Sequence, residues 1–288
     1  MQFHSALPPG ALYVPGSMGW HDTGARLPSE VTFMRSDGTV VPLVPEPFCE
    51  YCCKPIRDDY ADLGTCFDCN KNRFRVGAEP VEVKGKITMW TFKDMADLRP
   101  FYFRRAGAAG LYVKRKSVFY REIWQLKRGG PDTSERAAEL IAESMHHALE
   151  KRFNDFRKCT FLVPIPSGSG LVTAPTLRLA NALASFLDRF SVLDALEFVE
   201  GYVSQRAMKT REDRWENPED KFLVDRAAVR EIRDQRLLLI DDTFTEGATT
   251  HWAAKALLDH GCAQVDVLVA GRACDQKELD WIGYEGRT

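Results

Sequence analysis

From about residue 110 onward the chain alternates between two hydrophobic rhythms. In DTSERAAELIAESMHHALEKRF, Ala137, Ile141, Met145 and Leu149 fall on one helical face, with Asp132 as N-cap and Glu135 three residues on. FLVPIP (161–166) is a short apolar run that stops at a Ser-Gly loop, as a buried strand does. APTLRLANALASFLDRF repeats the helical spacing through Leu179, Leu183, Leu187 and Phe190. EFVEGYV predicts a second strand, LLLIDD a third and VDVLVAG a fourth, and ATTHWAAKALLDHG predicts a helix closing at Gly261. Helices alternating with strands imply an α/β domain whose parallel sheet is flanked by helices. Ligands bind such sheets beyond the carboxyl ends of the strands, so the SGSG and DDTFTEGATT loops should face one crevice.

Upstream the pattern breaks. Residues 1–47 are rich in Pro and Gly with short extended pieces such as VTFM, and read as an irregular collar or a partly disordered segment. Residues 48–75 are cysteine-dense and read as a small separate module, leaving 76–288 for the sheet domain. No internal repeat is present.

Composition narrows the classes. A chain of 288 residues can bury a large core beside a small module. The net charge of -2 gives no general attraction to nucleic acid or anionic membrane. No apolar run approaches the ~20 residues of a membrane span, and MQFHSALPPGALYVPG lacks the basic start and apolar core of a signal peptide. These features lead us to expect a soluble cytoplasmic protein, in which eight cysteines would not form a disulfide framework.

Cys49, Cys52, Cys66 and Cys69 are spaced C-x2-C-x13-C-x2-C. Two close pairs can close a tetrahedral thiolate shell around one Zn2+, with sulfurs at ~2.3 Å and no coordination position left for catalysis. Buried free thiols or a redox pair are the alternatives. Cys53 is a spare beside the set, and Cys159, Cys262 and Cys274 stand alone, as small buried hydrophobes do. His146 and His147, adjacent on a helix, point apart and make a poor metal pair.

An aliphatic strand ending in Asp241 and Asp242 admits three readings. A Walker B strand needs a G-x-x-x-x-G-K-[ST] elsewhere, and the chain has none. A dinucleotide site needs a third glycine after Gly168 and Gly170. A ribose phosphate site accounts for more residues. Paired carboxylates accept hydrogen bonds from vicinal ribose hydroxyls, and small residues before a helix N-terminus let N–H groups and threonine hydroxyls wrap a phosphate. The two acids could also merely cap the following turn.

The strand, acid pair and loop resemble those of type I phosphoribosyltransferases. The wider layout is similar to the ComF family, which joins a cysteine-pair zinc module to such a domain. The resemblance covers about residues 48–272. It rests on the cysteine pairs, YREIWQLKRG (120–129), FLVPIPSGSG, QRAMKTREDRWENPEDKFLVD (205–225) and the acid-pair loop. It implies that 76–288 is a phosphoribosyltransferase-like domain in which Asp241 and Asp242 hold the ribose hydroxyls. Thr245, Gly247, Ala248 and Thr249 would cradle the 5'-phosphate, and Ser167, Gly168 and Ser169 would approach a pyrophosphate. Arg206, Lys209, Arg211 and Arg214 could close over it, or this stretch could be a solvated charged surface. Mg2+ and 5-phosphoribosyl diphosphate are the implied cofactor and ligand, and the implied chemistry is displacement of pyrophosphate at ribose C1 toward an unnamed acceptor.

Two departures stand out. The segment after SGSG offers only Arg178 where the family is more basic, and Glu246 occupies the position of a loop threonine. At ~5 Å and an effective dielectric of ~20, one carboxylate repels a unit of phosphate charge by about 3 kcal/mol. That cost largely disappears if Glu246 faces solvent or pairs with a loop arginine. Lys127 and Arg128 read as ordinary surface cations, while Trp215 could stack on a base or anchor its loop. The rival to an enzyme is a non-catalytic ribose phosphate or nucleotide sensor acting through partners in DNA uptake or nucleic-acid metabolism. Arg57, Lys71, Arg73, Phe74 and Arg75 would offer a nucleic-acid or protein contact beside the zinc module.

Overall fold

The structure is a computed structural model and describes residues 32–56, 58–72, 76, 78–83, 86–92, 99–167 and 174–281. Along the chain these form β1 (Thr32–Met34), β2 (Val40–Pro42), α1 (Phe67–Lys71), β3 (Ala78–Val83), β4 (Lys86–Phe92) and β5 (Ala106–Tyr112). Next come α2 (Val118–Arg128), α3 (Pro131–Lys151), β6 (Phe161–Pro164), α4 (Pro175–Ala184), β7 (Ser191–Val192), β8 (Leu196–Phe198) and α5 (Arg211–Glu216). The chain closes with β9 (Phe222–Val224), α6 (Ala228–Ile232), β10 (Arg236–Phe244), α7 (Ala248–Asp259), β11 (Gln264–Ala273) and α8 (Gln276–Trp281).

The expected α/β architecture is present. Five strands form one parallel sheet in the order β5-β11-β10-β6-β7. Its central strands are near-continuous apolar runs because helices cover the sheet: Leu237 to Ile240 and Val267 to Ala270 are fully buried. Helix α3 packs on β5 and β11, α4 on β6 and β10, and α7 against β10 and β11. The predicted face of α3 is the buried one, with Ile141, Met145 and Leu149 at 0 % exposure.

The pattern misassigned three places. Helix α3 begins at Pro131 with Gly130 as N-cap, so Asp132 lies inside its first turn, where a negative charge favours the helix dipole. EFVEGYV does not enter the main sheet; Leu196–Phe198 pairs antiparallel with Phe222–Val224 as a separate two-stranded unit. Edge strand β5, AGAAGLY, was not foreseen, because Gly and Ala carry little strand propensity. Its glycines are steric necessities: a Cβ at Gly110 would lie 2.3 Å from the Pro42 carbonyl oxygen, and one at Gly107 2.9 Å from the Phe153 ring.

The cysteine segment shares the molecule's main buried cluster, in which Cys49, Cys52, Cys66 and Cys69 pack with Phe101, Phe103 and the sheet. Lys54 joins it to the C-terminal helix through ion pairs with Asp68 and Glu278. Among the described residues no helix is long and apolar enough to cross a membrane.

Candidate functional site

Strand β10 delivers its acid pair to the carboxyl edge of the sheet, where pairing with β6 has ended at Ile240 while pairing with β11 runs on to Phe244. Asp241 Oδ1 accepts the Asp242 N–H at 2.8 Å, and Asp242 Oδ1 accepts the Thr243 hydroxyl at 2.9 Å. The Lys127 ammonium, from the last turn of α2, forms an ion pair with Asp242. Lys127 is therefore not an ordinary surface cation: it and Arg128 both line the site, and the contact depends on α2 folding back to the sheet edge. Desolvation first, and the neighbouring Asp242 carboxylate second, push Asp241 up to about 8, with Lys127 pulling the other way.

The loop after the acids enters α7 through Gly247, the helix N-cap, at φ +82°. Only glycine adopts that conformation without strain, and a Cβ there would lie 2.4 Å from Phe244 Cζ. The N–H groups of the first turn have no intrahelical partner and are available to an anion.

These elements enclose a cavity of about 570 Å³. Its wall includes Asp241, Asp242, Thr245, Gly247, Ala248, Thr249 and Ser167, so seven of the expected ligand residues converge on one space. Gly168 and Ser169 lie outside the described residues. Pro175 and Thr176 bring the N-terminus of α4 to the same cavity, so two helix dipoles present their positive ends there. Phe198 and Tyr202, stacked with centroids 3.7 Å apart, form an aromatic wall that sequence reasoning missed, because its members depend on the β8–β9 pairing.

The Arg-bearing segment divides. Arg214 lines the cavity. Arg211, expected beside it, instead pairs with Glu246 at 3.1 Å and lines a second cavity of about 580 Å³ on the other side of the loop. Glu246 thus meets the loop arginine that relieves its charge, although its buried Oε2 has no partner. Lys209 is exposed, and the Arg206 side chain lies outside the described residues. Arg178 pairs with Glu135 at 3.4 Å. Trp215 is an anchor: its ring packs against His251 and Phe101, and its carbonyl accepts the Trp252 indole N–H at 2.9 Å.

Cys49, Cys52, Cys66 and Cys69 are buried with all four sulfurs within 4.8 Å of one another. Zinc with sulfurs at ~2.3 Å requires tetrahedral edges of about 3.8 Å, and the Cys52 and Cys66 sulfurs are 3.7 Å apart. The donor set therefore suits zinc. Cys53 stays outside it, and burial pushes its thiol up to about 12. Among the described residues no other group of three or more clustered His, Cys, Asp or Glu side chains occurs. Of the basic cluster beside the module, Arg57, Arg73, Phe74 and Arg75 lie outside the described residues. The lone histidines are occupied by packing, His147 stacking on Phe33 and His146 on Phe186.

No family model matches the chain, and no curated protein resembles it in sequence. Solved structures with similar folds include glutamine phosphoribosylpyrophosphate amidotransferase from B. subtilis complexed with ADP and GMP, at 13% identity and TM-score 0.36. That match covers 52% of this chain and 30% of the other, so the chain spans under a third of the amidotransferase. Hypoxanthine phosphoribosyltransferase from Staphylococcus aureus is 13% identical over 49% of this chain and 75% of its own, with TM-score 0.31. L. donovani hypoxanthine-guanine phosphoribosyltransferase is 14% identical over 54% and 81%, with TM-score 0.31. Overlaps this loose carry no argument about the chemistry of the site.

Proposed function

We propose that the chain is a phosphoribosyltransferase-like protein that binds 5-phosphoribosyl diphosphate or a related ribose 5-phosphate with Mg2+. One observation carries the reading: an acid pair, a left-handed glycine and two helix N-termini surround one cavity at the carboxyl edge of a parallel sheet. Asp241 and Asp242 accept the ribose hydroxyls, and the N–H groups and hydroxyls of Thr245, Gly247, Ala248 and Thr249 hold the 5'-phosphate. Ser167, with Gly168 and Ser169, meets the pyrophosphate, whose charge Lys127, Arg128 and Arg214 offset. Binding frees Lys127 from Asp242 as ribose hydroxyls take its place. Mg2+ would be held mainly by the phosphates of the ligand, because it keeps most of its waters and needs few carboxylates, and it would supply positive charge against the leaving pyrophosphate. Zinc held by the four cysteines would keep no open coordination position and take no part in the chemistry.

A sensor that binds the same ligand without turnover is the second reading. It is favoured by Arg211, whose guanidinium is committed to Glu246 and not to the pyrophosphate side of the site. Its partners would be sought through the cysteine module, among nucleic acids or proteins.

Calorimetry with 5-phosphoribosyl diphosphate and Mg2+ tests both. The parent chain should bind and Asp242→Asn should bind at least tenfold more weakly; equal binding, or none in the parent, overturns the ribose phosphate site. Pyrophosphate release with any acceptor from a broad screen selects the enzyme, and binding without release across it selects the sensor.

A further inference from the structure

Arg272 leaves the carboxyl end of β11 opposite Phe244 of β10 and is 4 % exposed. Its Nη1 donates to the carbonyls of Phe244 at 2.7 Å, Thr245 at 2.8 Å and Ala273 at 2.6 Å, and its guanidinium lies 5.2 Å from the centre of the Phe244 ring. Among the described residues no carboxylate pairs with it, and its Nε is buried without a partner. A buried cation held only by carbonyl dipoles is costly unless opposite charge lies nearby.

That charge is available at the second cavity, whose wall contains Arg272, Cys52, Cys66 and Cys69 together with Phe244, Thr245 and Glu246. Four thiolates around one Zn2+ carry a net charge of about -2. Desolvation works against the Arg272 charge, and the neighbouring Cys52, Cys274 and Glu278 more than offset it, so the guanidinium holds its proton more tightly than usual. Two of the three carbonyls that Arg272 grips belong to the residues just before Glu246 and Gly247, where the loop turns into α7.

We propose that Arg272 is a positioning residue linking the four-cysteine site to the phosphate loop. Filled with zinc, the thiolates hold the guanidinium, and the guanidinium holds the carbonyls of Phe244 and Thr245, fixing the turn from which the N–H groups of 245–249 address the cavity. The nature of the ligand rests on the function proposed above; the linkage itself does not.

Amide hydrogen exchange and calorimetry on the full chain test it, with zinc content measured in every sample. Stripping zinc with a chelator should speed exchange across 244–250 and weaken 5-phosphoribosyl diphosphate binding about tenfold, within the usual range of coupling between sites. Zinc-loaded Arg272→Lys should show the same two changes, and stripping zinc from it should add little, because both act on one link. Cys69→His keeps a metal ligand while removing one thiolate charge, and should fall between parent and stripped protein. Parental exchange in zinc-loaded Arg272→Lys, or fully additive effects, overturns the proposal. If the parent binds no ribose phosphate, that reading fails and the exchange measurements still decide the linkage. If Arg272→Lys or the stripped chain unfolds, Cys69→His decides it alone, and exchange at parental rates in 244–250 then counts against it.

Discussion

Two buried arginines divide the molecule into a closed region and an open one. Arg35, after β1, is 3 % exposed and meets Glu122 of α2 through both guanidinium arms, at 2.5 and 2.9 Å, while its Nε donates to Ser144 of α3 at 2.6 Å. Each guanidinium nitrogen there has a partner inside the fold, so the contact fastens the β1–β2 hairpin to two helices. Arg272 has carbonyls only, an idle Nε and a cavity beside it. The difference marks where to test for function: a buried charge completed by the fold is architecture, and one left incomplete beside a cavity is a place to probe for a ligand.

Breaking the closed region should have the largest effect. Glu122→Ala strands the Arg35 charge and should cost about 3–5 kcal/mol in urea unfolding, whereas Arg35→Met combined with Glu122→Leu should unfold close to the parent. A single-variant loss below about 1 kcal/mol would mean that Arg35 reaches water. Gly247→Ala strikes the open region through its backbone, adding left-handed strain and a collision with Phe244. About 2–4 kcal/mol of stability should go, together with most phosphate-ligand affinity, and unaltered calorimetry would show that the loop can reshape.

Asp241 is the open region's incomplete acid, and its sign is opposite. Its folded pKa, about 8, lies above the unfolded value, so the native state binds its proton more tightly. Stability should therefore fall as pH rises from about 4 to about 8, and Asp241→Asn should flatten that slope in thermal melts. Binding of ribose hydroxyls to the ionised carboxylate should strengthen across the upper part of the same window. An unchanged slope in Asp241→Asn would place the titration elsewhere. The smallest effect is expected from Glu246→Thr. Because Glu246 already pairs with Arg211, phosphate-ligand affinity should rise less than tenfold, well under the roughly 3 kcal/mol of an unscreened inward charge. A larger gain would show that the pair opens in solution.

Much of the sheet was legible in the order of residues. The buried face of α3, the strands around FLVP and LLLIDD, the helix ending before Gly261 and the clustering of the four cysteines all follow from local spacing. β5 was hidden because its buried residues are mostly Ala and Gly, which carry little strand signal, and Phe119, Phe153 and Pro42 pack closely on its glycines. EFVEGYV carried a strand pattern that did not name its partner, and that partner is β9. At the site, the acid pair and glycine loop could be read directly. Lys127, Phe198 and Tyr202 could not, because each reaches the cavity on a distant element.

By itself the order of residues placed helices α3, α4 and α7, strands β6, β10 and β11, the glycine turn after the acid pair and the thiols that can share one metal. Backbone geometry and ligand spacing act over a few residues, so short stretches suffice for these. Only the tertiary structure decided that Glu246 meets Arg211, that Lys127 meets Asp242, and that Arg272 lines one cavity with the cysteines while gripping the carbonyls of Phe244 and Thr245. A charge's effect depends on its distance from other charges and from water, and that distance exists only once remote segments have packed together.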